Sequence, residues 1–126
     1  MQTHRVITAK LHPMYWGLIH SCEKTIEVRD NQDTDVCAGD VFQFIHPTTR
    51  EILGYARIKA MVELPDGWTL GMVASIARIS MTDAERLFGY LTVEGRGEAY
   101  LNLYEIEPVD TTAMLEQFAK ENKNHE

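Results

Sequence analysis

A chain of 126 residues is sized for one domain around one core, and 44% hydrophobic with 25% charged residues is a globular composition, not a disordered one. No apolar run approaches the roughly 18 residues of a membrane-spanning helix, and no leader pattern opens the sequence, so no membrane association and a cytoplasmic location are expected. The net charge of −7 disfavours a protein that coats nucleic acid indiscriminately, since that binding runs on phosphate neutralisation, but leaves room for a local basic groove.

Residues 6–11 are a short β-prone run that meets Pro13, a residue suited to the first position of a helix, with His12 at the cap. Residues 14–21 give one or two helical turns, with Tyr15, Leu18 and Ile19 at helical spacing and Gly17 weakening the middle. Next comes the central stretch, residues 22–45. Its strand-like parts, 24–29 and 41–45, are joined in hairpin fashion by a polar connection over 30–40 that closes on Gly39-Asp40. In an ideal strand Ile26 and Val28 face the core, while Thr25, Glu27 and Arg29 share the other face and Lys24 stands at the entrance. A hydroxyl, a carboxylate and a guanidinium in a row are costly to bury unpaired and useful beneath a ligand. Cys22 and Cys37 form no CxxC pair and are expected as reduced thiols.

Residues 52–64 carry the longest alternation. Ile52, Gly54, Ala56, Ile58, Ala60, Val62 and Leu64 share one face, as in a curling strand whose small residues admit another backbone. The other face carries Tyr55, Arg57 and Lys59, which suit a phosphate track or a plain solvated surface. Pro65-Asp66-Gly67 breaks the strand. Leu70, Val73, Ala74 and Ala77 fall at helical spacing, and a second helix is marked by a Thr82–Glu85 capping box ahead of the stripe Ala84, Leu87, Phe88 and Leu91. Gly95 and Gly97 bound a loop around Arg96, and residues 100–106 form a strand ended by Pro108. The pattern is α+β, a small curled β-barrel with flanking short helices over residues 1–110, then a short helix over 111–120 within a tail that frays from 121.

The run Lys24-Thr25-Ile26-Glu27-Val28-Arg29, followed by a polar loop and Gly39-Asp40-Val41-Phe42, resembles the core signature of the ASCH domain, a family of the PUA-like superfamily of small β-barrels. The preceding helix, and the strand entered through Glu51 and carrying Gly54, fit the same layout. Two departures stand out. Cys22 occupies the place, two before the motif lysine, where the family usually has glycine, and the stretch before the second strand is longer than in compact members.

The resemblance implies binding of RNA or of a modified nucleobase or nucleoside. Some members of the family hydrolyse N4-acetylcytidine, and others have been linked to RNA cleavage. Carried onto this chain, the motif lysine is Lys24, and Glu27 falls where the amidohydrolases have threonine. Their helix glutamate would fall near Ile79 or Ser80, where no carboxylate stands; Glu85 is the nearest.

The expected ligand cleft lies between the first helix and the barrel, with Lys24, Thr25, Glu27 and Arg29 beneath it. Lys24 and Arg29 would donate to base carbonyls or phosphate, and Glu27 would accept from an exocyclic amine. Tyr15, Trp16 and Trp68 could stack on a base, or simply fill the core, and Arg57 and Lys59 could follow the phosphates. The enzyme alternative makes Lys24 and Glu27 catalytic. It requires a bend near Lys24, because an ideal strand sets positions 24 and 27 on opposite faces. A third reading is a non-catalytic protein-interaction domain. No cofactor is expected, and His12, His20 and His46 lack metal-like spacing.

Overall fold

In the computed structural model, which describes residues 4–30 and 36–124, β1 (Val6–Lys10) leads directly into α1 (Pro13–His20). Pro13 takes the first helical position, and His12 Nδ1 accepts the Met14 amide at 3.1 Å, so an imidazole serves where Ser or Asp is usual. The helix ends in a Schellman motif. Cys22 N–H donates to Ile19 O at 3.0 Å and Glu23 N–H to Leu18 O at 2.9 Å. Cys22 is thereby held at φ +64°, the left-handed conformation that explains why glycine suits this place. The Lys24 amide also returns to Leu18 O, and the chain then enters β2 (Ile26–Asp30).

β2 and β3 (Val41–Ile45) are not a hairpin, contrary to the sequence expectation. β2 pairs antiparallel with β7 (Leu101–Val109), while β3 pairs parallel with β1 and antiparallel with β4 (Ile52–Leu64). The order β1-β3-β4-β7-β2 curls into a half-barrel with β1 and β2 as its two edges. The connection between β2 and β3 lies partly outside the described residues. Its end is tied down: Gly39 adopts φ +95°, and the buried Asp40 carboxylate accepts the amides of Arg5 at 2.9 Å and Cys37 at 2.8 Å.

Two apolar clusters sandwich the sheet. Inside the curl, Phe42, Phe44, Ala56, Ile58, Tyr104 and Ile106 pack with Tyr15 and Ile19 of α1. On the other face, Val28 and Leu101 pack against Trp68, Phe88 and α2 (Leu70–Ala77), which contributes Val73 and Ala77. β2 is therefore enclosed on both faces. Val28 lies under α2, and Glu27, opposite Tyr104 in the register, turns toward the inner side.

The alternation read from β4 holds through Gly54, Ala56 and Ile58. A register shift between Ile58 and Ala60 then breaks it, and Val62 is left 60% exposed. α3 (Met81–Phe88) starts two residues earlier than a Thr82–Glu85 box would place it. Ser80 is its cap, accepting the Asp83 amide at 3.0 Å, and Glu85 is exposed. Glu94 and Gly95, at φ +52° and +80°, turn the two-residue strands β5 (Thr92–Val93) and β6 (Arg96–Gly97) as a type I′ hairpin does. Pro108 does not end β7. β2 reaches only to Glu105, and the last hydrogen bond on its side of β7 runs from Ile106 N–H to Thr25 O, so at Pro108 no described neighbour on that side needs an N–H. The C-terminal helix α4 (Thr111–Asn124) runs past 120, buries Met114, and is tied to the N-terminal segment by a 2.7 Å contact between Glu121 and His4 Nδ1.

Two stability measurements check this account. Cys22→Gly should raise the denaturant midpoint, by roughly 1 kcal/mol of relieved strain less the entropy that glycine adds to the unfolded chain; an unchanged or lower midpoint would show that the αL cap is not strained. Gly54 lies beneath the Trp16 ring, where an added Cβ would stand 2.1 Å from a ring carbon. Gly54→Ala should cost about 1–3 kcal/mol by overpacking, and Trp16→Leu in the same chain should recover part of it.

Candidate functional site

The half-barrel is open between β1 and β2, and a cleft of about 690 Å³ occupies the opening. That volume lies in the range of small-molecule sites. One wall is residues 10–12 with Tyr15 of α1 and residues 46–48 of the β3–β4 turn. The other is residues 27–30 of β2, with Ala77, Ile79, Asp83 and residues 86–88. The cleft thus lies beside α1, with α3 as a further wall.

Lys24 lies behind this surface, not on it. The Schellman turn at Cys22 reverses the chain before the strand begins, and the ammonium is carried inward, with the residue 1% exposed. Its Nζ donates to Ile26 O at 2.7 Å and to Ala77 O at the end of α2, and Glu27 Oε1 stands 3.5 Å away. Three acceptors meet three N–H donors, which is what makes a buried ammonium tolerable. Desolvation nevertheless holds its pKa below the usual lysine value, against the opposing pull of Glu27. The bend that brings residues 24 and 27 together is present. Glu27, itself 6% exposed, reaches the cleft with Lys24 bracing it from behind.

A second carboxylate enters from α3. The Tyr15 hydroxyl donates to Asp83 Oδ2 and accepts the Ser80 amide at 3.1 Å, joining α1 to the start of α3 across the cleft wall. Arg86 Nη2 lies 3.3 Å from Asp83 Oδ1. The Tyr15 hydrogen bond, reinforced by Arg86, holds the Asp83 carboxyl below its ordinary pKa despite some desolvation. Further along, the Tyr90 hydroxyl donates to Asp30 Oδ2 at 3.1 Å.

Of the residues singled out in the sequence, Glu27, Arg29 and Tyr15 line the cleft. Thr25 does not; it is exposed just before β2, and its carbonyl accepts the Ile106 amide at 2.9 Å. Trp16 packs on Gly54 and Phe44 in the inner cluster. Trp68 is 1% exposed, lies over Gly97 and donates Nε1–H to Ala99 O at 2.7 Å. Its face is closed to a base. Arg57 bonds Gln117 of α4, and Lys59 pairs with Glu105 at 3.4 Å; neither lines the cleft, so no phosphate track runs from it along β4. Asp83 escaped the sequence reading, although Ser80-Met81-Thr82-Asp83 is itself a cap-and-acid pattern.

Replacing Lys24 with methionine should cost about 3 kcal/mol, because Glu27 would lose its buried partner. The pH dependence has a definite sign. The unfolded lysine titrates near pH 10.4, and the folded one lower, so between those values the unfolded chain binds more protons and stability rises with pH. Urea unfolding at pH 7 and pH 10 should therefore show the gap between wild type and Lys24→Met widening. A gap that narrows would refute the buried ammonium.

No family model and no curated protein matches the sequence. Solved structures do. The ASCH protein of Zymomonas mobilis aligns at 18% identity over 82% of this chain and 69% of its own, with a TM-score of 0.56. A point variant of that protein gives 0.57 at 16% identity, over 86% of this chain and 73% of its own. The ASCH domain of Lactobacillus crispatus aligns at 12% identity over 84% and 79%, with a TM-score of 0.53. The mixed sheet, its order and its flanking helices are those of an ASCH-like fold, and that is the fold of this chain.

Proposed function

We propose that the chain binds one nucleobase-bearing unit, a nucleoside or a single residue of RNA, in the cleft between β1 and β2. The observation that carries this reading is the convergence of Glu27, Asp83, Arg29 and Tyr15 on one cavity of small-molecule size. The two carboxylates suit the exocyclic amine and ring N–H of a base, and the guanidinium suits its carbonyl. Arg57 and Lys59 lie elsewhere, and the chain carries −7 overall, which favours one unit over a long strand held by its phosphates.

Hydrolysis of the bound ligand is the second reading, favoured by the 3.5 Å approach of Lys24 to Glu27. The ammonium is enclosed, so the group that meets substrate in this reading is Glu27, with Lys24 as its positioning residue. An N4-acetylated cytidine and RNA are the two substrates to test.

Calorimetric titration of ribonucleosides, including N4-acetylcytidine, should show saturable binding. Glu27→Gln and Asp83→Asn should each weaken it about tenfold or more, as expected for charge-assisted hydrogen bonds. Chromatography of the N4-acetylcytidine mixture, with a short single-stranded RNA in parallel, reads out chemistry. Glu27-dependent loss of acetate identifies an amidohydrolase, and Glu27-dependent shortening of the RNA a nuclease. Absence of nucleoside and RNA binding would dispose of the proposal.

A further inference from the structure

The two walls of the cleft differ in charge. Every carboxylate that lines it, Glu27, Asp30 and Asp83, belongs to the β2–α3 wall, as do Arg29 and Arg86. The facing wall, built by the end of β1, the cap of α1 and the β3–β4 turn, contributes Lys10, His12, His46 and Thr48 and no carboxylate. Lys10 is exposed at the last position of β1, and its ammonium makes no hydrogen bond or ion pair to any described residue.

The two imidazoles use the same ring nitrogen. His12 Nδ1 accepts the Met14 amide at 3.1 Å, and His46 Nδ1 accepts those of Thr48 at 3.1 Å and Thr49 at 3.2 Å. A nitrogen that accepts a backbone N–H carries no proton in the neutral ring, so Nε2 of each bears the hydrogen and is a donor. The wall therefore offers donors without a competing acceptor charge. On the opposite wall Glu27 is met by Lys24, and Asp83 by Tyr15 and Arg86, so their repulsion of an anion is muted.

We infer that the Lys10–His12–His46 wall is a phosphate subsite, and that the ligand class is a nucleotide whose base meets Glu27 and Asp83 while its phosphate meets Lys10, His12 and His46. This rests on the base-binding reading above and adds the polarity of the ligand within the cleft. A lysine ammonium with flanking N–H donors is a common way to hold phosphate. The segregation also favours one direction for the ligand, since the reverse pose would set the phosphate on a wall where three carboxylates, Glu27, Asp30 and Asp83, outnumber Arg29 and Arg86.

The test compares each ribonucleoside with its 5′-monophosphate by calorimetry at low ionic strength. The monophosphate should bind about tenfold tighter or more, the worth of a charge-assisted contact. That advantage should collapse in Lys10→Ala and shrink in His46→Asn, whose amide oxygen can still accept the Thr48 and Thr49 amides. Nucleoside affinity should stay the same in both variants. If nucleosides bind and the phosphate adds nothing, the subsite is overturned and the base-binding reading stands. If the phosphate helps equally in wild type, Lys10→Ala and His46→Asn, it is held elsewhere and the inference fails. If neither ligand class binds, both readings fall together.

Discussion

One buried ammonium fixes the relation between the parts that form the cleft. Lys24 Nζ binds a carbonyl at the start of β2, a carbonyl at the end of α2, and the Glu27 carboxylate. β2 is an edge strand, with a ladder on one side only. Without the lysine, its entry would be held to α2 by apolar contact alone, which has no direction. Hydrogen bonds from one charged group to two backbone elements supply that direction. They do so where desolvation makes a misplaced partner expensive, so the arrangement is stiff.

The fold was largely legible because its cues are local and redundant. Pro13, Gly39-Asp40 and Pro65-Asp66-Gly67 mark boundaries by stereochemistry that tertiary contacts do not alter. The pairing of β2 was not legible. Its proximity to β3 in sequence suggests a hairpin, and only the enclosure of both faces, Val28 beneath α2 and Glu27 beside Tyr104, explains its place next to β7. The Lys59 region shows the same limit. Alternation predicts an inward Val62, and a single shift in register exposes it.

The site was legible in its first strand and obscure in its second wall. Glu27, Arg29 and Tyr15 stand in the cleft, while Lys24 is deeper than a strand-entrance lysine suggests, because a left-handed Cys22 redirects the chain. Trp68 follows a turn, which leaves base stacking and core filling both open; Gly97 leaves room for its indole and Ala99 supplies an acceptor some thirty residues away, so it fills the core. Asp83 was hidden by helix phase. With Thr82 as the cap it is an ordinary first-turn acid; with Ser80 as the cap it meets the Tyr15 hydroxyl.

The sheet order also governs when the cleft can come into being. Both strands that border it are early, within the first 30 residues, but β2 has one ladder partner, and that partner is β7, near the far end of the chain. Bringing those segments together closes a loop of some seventy residues before any ladder bond rewards it. During synthesis β1, β3 and β4 can zip together first, leaving β2 as an unpaired strand until β7 emerges. The cavity is thus the last feature of the barrel to be enclosed. A nascent chain stalled before residue 101 would have a sheet without the cleft, and β2 would be the segment most open to chaperones or to pairing with other chains.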